Sequence, residues 1–145
     1  MTPIVKSLHS YIKASNHALE NFPTFNFPGQ NKIIFTMDIT SLHTTIPNNE
    51  GPQALKYFFN ARAIKKPSSE TLLRLGELVL TRNYFSFGDN HYKQINGVAM
   101  GAKMGPGYTN LFVGFIENKF FSNYHGPKPD LHKLYIDDCV GATSS

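Results

Sequence analysis

Leu134-Tyr135-Ile136-Asp137-Asp138-Cys139-Val140 sets two adjacent carboxylates inside an apolar run. Strands disfavour Asp, and a carboxylate drawn into apolar surroundings is costly unless a positive partner holds it. A hairpin turn at the acidic pair resolves the backbone problem, and an exposed Asp-Asp turn is one reading of the stretch. The turn alone gives no reason for both residues to be acids. A divalent cation does, because hard cations select carboxylate oxygens. The run therefore predicts a hairpin whose tip carries candidate metal ligands.

A second acid sits in a similar setting. Lys32 to Ile39 reads as a strand, and Ile33, Ile34, Phe35, Met37 and Ile39 make it apolar on both faces. That pattern predicts a central strand covered by helices on at least one side. Asp38 lies near its C-terminal end. If this strand neighbours the hairpin, Asp38 and Asp137 converge at one sheet edge. Carboxylates so placed hold two Mg²⁺ ions about 3.5–4 Å apart, one activating a hydroxyl and one stabilising a leaving oxygen. Such geometry serves phosphodiester synthesis and cleavage alike, so a two-metal nuclease stands beside a polymerase as an alternative.

The remaining elements alternate between periods. Ile4, Leu8, Tyr11, Ile12 and Leu19 predict a helix over residues 3–20, followed by a Pro- and Gly-containing loop to Gln30. After a loop over 41–49, Asn48 or Asn49 is the expected cap of a helix to about Arg62, with Ala54, Leu55, Phe58 and Phe59 inward. Pro67-Ser68 opens another helix, with Leu72, Leu75, Gly76, Val79 and Leu80 at amphipathic spacing. Asn83 to Phe87 and His91 to Ile95 read as a hairpin across Gly88-Asp89-Asn90. A glycine-rich loop, Gly97 to Gly107, leads into a helix from Pro106 to about Tyr124. Glycines allow close backbone approach to a ligand, and the helix start favours phosphate. The order of helix, strand, two helices, hairpin, helix, hairpin is an α+β layout, an antiparallel sheet backed by helices.

Composition limits the alternatives. With 145 residues, 41% apolar and 17% charged, the chain belongs with folded globular domains and not with disordered ones. The formal charge of +4 is compatible with a polyanionic partner without requiring one. A single cysteine, Cys139, excludes an internal disulfide framework and a cysteine-based zinc site. It fits an intracellular, reducing setting. No apolar run is long enough to cross a bilayer, so no membrane contact is expected.

Three segments resemble one family. Phe35-Thr36-Met37-Asp38-Ile39-Thr40-Ser41-Leu42-His43-Thr44-Thr45-Ile46-Pro47 is similar to the first catalytic motif of reverse transcriptases of Penelope-like retroelements, relatives of telomerase reverse transcriptase. Gln94 through Phe112, containing Gly97-Val98-Ala99-Met100-Gly101-Ala102-Lys103, is similar to their second motif, and Tyr135-Ile136-Asp137-Asp138 to their third. The order and intervals agree, over roughly Phe35 to Val140.

The resemblance implies a polymerase palm, a ferredoxin-like antiparallel sheet backed by helices, over residues 31–145. Residues 1–30 would then be a lead-in with incomplete fingers, and the thumb would lie outside these residues. It implies RNA-directed DNA polymerisation on an RNA template with a DNA primer and deoxynucleotides, in the nucleus, with two Mg²⁺ ions or Mn²⁺ in their place. Asp38 and Asp137 would bind metal, with the Ile39 carbonyl as a further ligand and Asp138 as the second acid of the pair. His43 would stand at the aromatic gate against the nucleotide sugar. Met100 and Gly101 would pack on the nucleotide, and Gly97 and Lys103 would lie near nucleic acid, Lys103 toward phosphate or toward solvent.

Some positions depart from the family pattern. His43 replaces an aromatic gate, Gly105 stands where Ala is usual, and Leu134 stands where Arg is frequent. The chain reads as part of a longer polymerase and is expected to extend primers poorly by itself. A folded but catalytically idle nucleic-acid-binding remnant is the alternative. His9, His17, His91, His125 and His132 share no metal-ligand spacing and are expected at the surface or in loops. Cys139 is expected as a packed, unreactive thiol. Phe85, Phe87 and Tyr92 are expected beneath the helices, with base stacking as the alternative.

Overall fold

The computed structural model describes residues 1–144. Along them run α1 (Thr2–Val5), α2 (Ser15–Asn21), a 3₁₀ turn (Phe22–Thr24), β1 (Lys32–Asp38), α3 (Leu42–Thr45), α4 (Gly51–Ala61), α5 (Ser69–Thr81), β2 (Tyr84–Phe87), β3 (Asn90–Lys93), α6 (Gly105–Asn123), β4 (Leu131–Tyr135) and β5 (Asp138–Ser144). β1, β5 and β4 form an antiparallel sheet in that order, and β2 and β3 pair as a separate hairpin. The layout is α+β, with antiparallel sheets backed by helices, as the alternating periods imply.

The helical core forms where apolar stripes meet. α4 packs against both α5 and α6. Leu55, Phe58 and Phe59 of α4, Leu80 of α5, and Tyr108 and Leu111 of α6 are all buried in one cluster. Each such side chain contributes roughly 1.5–3 kcal/mol by leaving water. Ser68 caps α5, its Oγ accepting from the Thr71 amide at 3.1 Å.

Tyr108 is fully buried, yet its hydroxyl has no hydrogen-bond partner among the described residues. Burial pushes its phenol from 10.0 up to about 12. The folded chain therefore holds this proton longer than the unfolded chain does, so stability falls as pH rises between 10.0 and about 12. Tyr108→Phe removes the unsatisfied hydroxyl. It is expected to stabilise the chain by about 1 kcal/mol at neutral pH and to flatten that alkaline loss. Denaturant midpoints at both pH values check this, and a less stable variant would contradict it.

Four expectations are corrected. The helix over 3–20 is broken: α1 ends at Val5 and α2 begins at Ser15. Between them the backbone runs alongside β4, with Ile12 N donating to Leu134 O at 3.0 Å and Leu134 N to Ser10 O at 2.6 Å. Sheet hydrogen bonds win over helical periodicity there. β1 is an edge strand and β5 the central one; Ile33, Ile34 and Met37 are 58%, 70% and 51% exposed, so an apolar run did not mean a covered one. α4 starts at Gly51-Pro52 with no side-chain cap, because the Asn48 amide instead donates to the Ile95 carbonyl. Lastly, every residue of β2 and β3 is exposed, so their aromatics do not lie under the helices.

Candidate active site

The sheet brings the acids together by register. Asp38, the last residue of β1, is paired with Asp138, the first residue of β5. Directly opposed residues in an antiparallel pair carry side chains on the same face, with Cβ atoms about 4.5–5.5 Å apart. Asp137 lies in the β4–β5 turn, and its carbonyl accepts from Ile39 N at 3.0 Å. The end of β1 and the hairpin tip are therefore stitched through backbone as well as register.

The turn residues are Ile136 and Asp137, not the acidic pair, since Tyr135 pairs with Asp138. Ile136 has φ 59°, a conformation that β-branched residues strongly disfavour. Local strain is thus held at the tip by the ladders on either side.

Asp38 and Asp138 are exposed and Asp137 is half-buried. None of the three is in an ion pair among the described residues. Like charges directly opposed across a ladder repel. The donors are carboxylates and a nearby backbone carbonyl, the hard-oxygen chemistry that suits a divalent cation. In this respect the residues fit one. Among the described residues, however, no three His, Cys, Asp or Glu side chains gather as a metal-binding group. Asp38 and Asp138 line a cavity of about 700 Å³ between the sheet and α2, shared with Thr36, Lys133, Ser15 and Leu19. Asp137 is not among its lining residues.

A second cavity, of about 360 Å³, collects His43, Met100, Gly101 and Lys103 from segments far apart in sequence. The His43 Nδ1 is buried there without a hydrogen-bond partner among the described residues. The loop is tied to the segment following Asp38 by Gly97 N donating to Ile46 O at 2.8 Å and Val98 N to His43 O at 2.7 Å. Gly97 has φ 71° and is buried. A Cβ there would collide with the backbone of His43 and Thr44, approaching Thr44 Cα to 2.6 Å. The glycine is used inside the fold, for chain-to-chain approach, where the sequence suggests a nucleic-acid contact.

The comparisons follow from this geometry. No family model matches the chain, and no curated protein matches it. Solved structures do. The chain superposes on apo telomerase from Candida tropicalis with a TM-score of 0.79 at 12% identity, covering 99% of this chain and 29% of that one. A C-terminally truncated form of that enzyme gives 0.76 at 11%, covering 99% and 33%. Telomerase from Candida albicans, in complex with a fragment of telomeric RNA, gives 0.70 at 11%, covering 97% and 28%. The likeness is one of fold: the chain shares the fold of part of these telomerase structures. The chain spans about a third or less of the length of these telomerases.

Within the telomerase-like fold, one half-buried array escaped the sequence reading. His132 is not at the surface or in a loop: its Nε2 lies 2.6 Å from Glu117 Oε1 on α6, and its Nδ1 lies 3.4 Å from Cys139 Sγ. Ser10 Oγ donates to the other Glu117 oxygen at 2.6 Å. The array ties the helix to the sheet face opposite Asp138. Strand parity carries the missing signal, because His132 shares a face with the buried Leu134.

Cys139 is buried and pushed from 9.0 up to about 11, first by burial and then by the Glu117 charge. The thiol is packed, as expected, although the acid that raises it is not one of its chain neighbours. Iodoacetamide at mildly alkaline pH is expected to label it at least about tenfold more slowly in the folded chain than after unfolding. Mass spectrometry reads the labelling, and equal rates would contradict the burial.

Proposed function

We propose that this chain is the palm region, over residues 31–145, of an RNA-directed DNA polymerase from a Penelope-like retroelement. Residues 1–30 are its lead-in. The observation that carries the reading is the opposition of Asp38 and Asp138 beside the Asp137 turn in a telomerase-like fold. Asp38 and Asp137 would hold two Mg²⁺ ions, or Mn²⁺, with the Ile39 carbonyl as a further ligand and Asp138 supporting the pair. Bound metal supplies a lowered hydroxyl pKa and stabilisation of the leaving oxygen.

The chain's own residues do the rest. His43, Met100 and Gly101 seat the incoming deoxynucleotide in their shared cavity, and Lys103, at its rim, meets phosphate. Gly97 keeps that loop locked to the segment after Asp38. The RNA template and DNA primer lie across the same surface, in the nucleus. Among the described residues no helix is long and apolar enough to cross a membrane.

A second reading has one observation in its favour. The lack of a three-ligand group among the described residues suits a catalytically idle, nucleic-acid-binding remnant. Primer extension on an RNA template, using the longest product of the gene, separates the two. The polymerase reading expects Mg²⁺-dependent incorporation that Asp38→Ala abolishes. Equal incorporation by Asp38→Ala would remove the mechanism, and no incorporation by the parent would favour the remnant.

A further inference from the structure

We infer that the exposed aromatic face of the β2–β3 hairpin is a stacking platform for single-stranded nucleic acid. The register pairs Tyr84 with Lys93, Phe85 with Tyr92, Ser86 with His91 and Phe87 with Asn90. Alternation then puts Phe85, Phe87 and Tyr92 on one face and Tyr84, His91 and Lys93 on the other. The three aromatic-face side chains are 52%, 77% and 44% exposed. Phe85 and Tyr92 are already stacked on each other, with ring centroids 5.5 Å apart and planes at 22°.

A two-stranded hairpin bare on both faces is marginal in water, so aromatic rings exposed on it call for an occupant. Two features favour a strand of bases. Phe85 and Phe87 are two strand residues apart, about 6.8 Å, twice the base-stacking rise of about 3.4 Å, which leaves room for a base on each ring. Aromatic rings at alternate strand positions are how sheets capture unpaired bases.

A second copy of the chain fits less well. Three aromatic side chains, partly covered already, offer well under the roughly 800 Å² per partner of a stable protein interface. The hairpin also leads directly into the Gly97 loop, with Gln94 N donating to Asn83 O at 2.9 Å at its base. The base of the platform is thus continuous in the chain with the loop that lines the cavity of His43 and Met100. The inference deepens the polymerase reading and rests on it for the use to which the strand is put.

Fluorescence anisotropy with a labelled oligouridylate of about 12 nucleotides tests it, beside a duplex of equal length. The parent chain is expected to prefer the single strand. Phe87→Ala is expected to weaken that binding about fivefold or more, and Phe87→Trp to retain it. Circular dichroism of Phe87→Ala guards against misfolding, and Phe87→Trp keeps the test decisive if the alanine variant fails to fold. Three results would overturn the platform: no oligonucleotide binding by the parent, parental binding by folded Phe87→Ala, or loss in Phe87→Trp equal to that in Phe87→Ala. So would light scattering that shows the parent dimeric and Phe87→Ala monomeric with oligonucleotide binding unchanged. Tight, Phe87-dependent binding by this chain, with no Mg²⁺-dependent extension by the longest product of the gene, would leave the platform standing and the polymerase reading refuted.

Discussion

Asp38→Asn is expected to stabilise the metal-free chain while removing nucleotidyl transfer. Both signs come from one geometric fact. Asp38 and Asp138 face each other across the β1–β5 ladder, with no ion-pair partner among the described residues. Neutralising one of two directly opposed like charges relieves a repulsion of roughly 0.2–1 kcal/mol. The same substitution removes a negative oxygen donor from the proposed metal pair. Loss of that electrostatic contribution is expected to lower incorporation by at least about a hundredfold. Thermal melts of this chain in chelator, and primer extension in Mg²⁺ by the longest product of the gene, read the two effects separately. A site arranged for function often costs the fold some stability. A variant destabilised in chelator would mean that the Asp38 carboxylate supports the sheet and does not strain it.

Gly97→Ala carries the largest expected cost in stability. The added Cβ would meet the backbone of His43 and Thr44, which has no side-chain freedom with which to yield. The φ of 71° adds about 1–2 kcal/mol for an L-residue. If the loop moves away, the bonds from Gly97 N to Ile46 O and from Val98 N to His43 O are lost, at about 0.5–1.5 kcal/mol each. A total of about 3 kcal/mol or more is expected. Gly101→Ala is the control: its φ is 94°, yet nothing lies within 4 Å of the added carbon. It should cost only the conformational part, about 1–2 kcal/mol. Denaturant unfolding of the two variants gives the comparison. Equal losses would show that backbone angle, and not the close approach to the segment after Asp38, governs the loop.

What the sequence made legible was mostly local. The stripes of α4, α5 and α6 repeat at helical spacing, and the Ser68 cap is a short-range device, so both could be read directly. That β1 neighbours the last hairpin is only a condition in the sequence reading of the acids, and the register meets it. The failures are all long-range. Ile4, Leu8, Tyr11 and Ile12 keep helical spacing, but the segment bonds to Leu134, far away in the chain. The apolar β1 reads as central because a sequence does not state which strands become its neighbours. The turn at Ile136-Asp137 places a β-branched residue at positive φ, against local preference, so only the flanking ladders impose it. His132 could have been placed inside by counting parity from Leu134, and its partner Glu117 could not.

Binding of Mn²⁺ followed by electron paramagnetic resonance tests the metal pair most directly, because it needs neither nucleotide nor template. Titration of the chain should show saturable binding. Asp38→Asn and Asp137→Asn should each weaken it at least about tenfold, and Asp138→Asn less. Parental affinity in both Asp38→Asn and Asp137→Asn would mean that the acids gathered at this sheet edge do not share an ion.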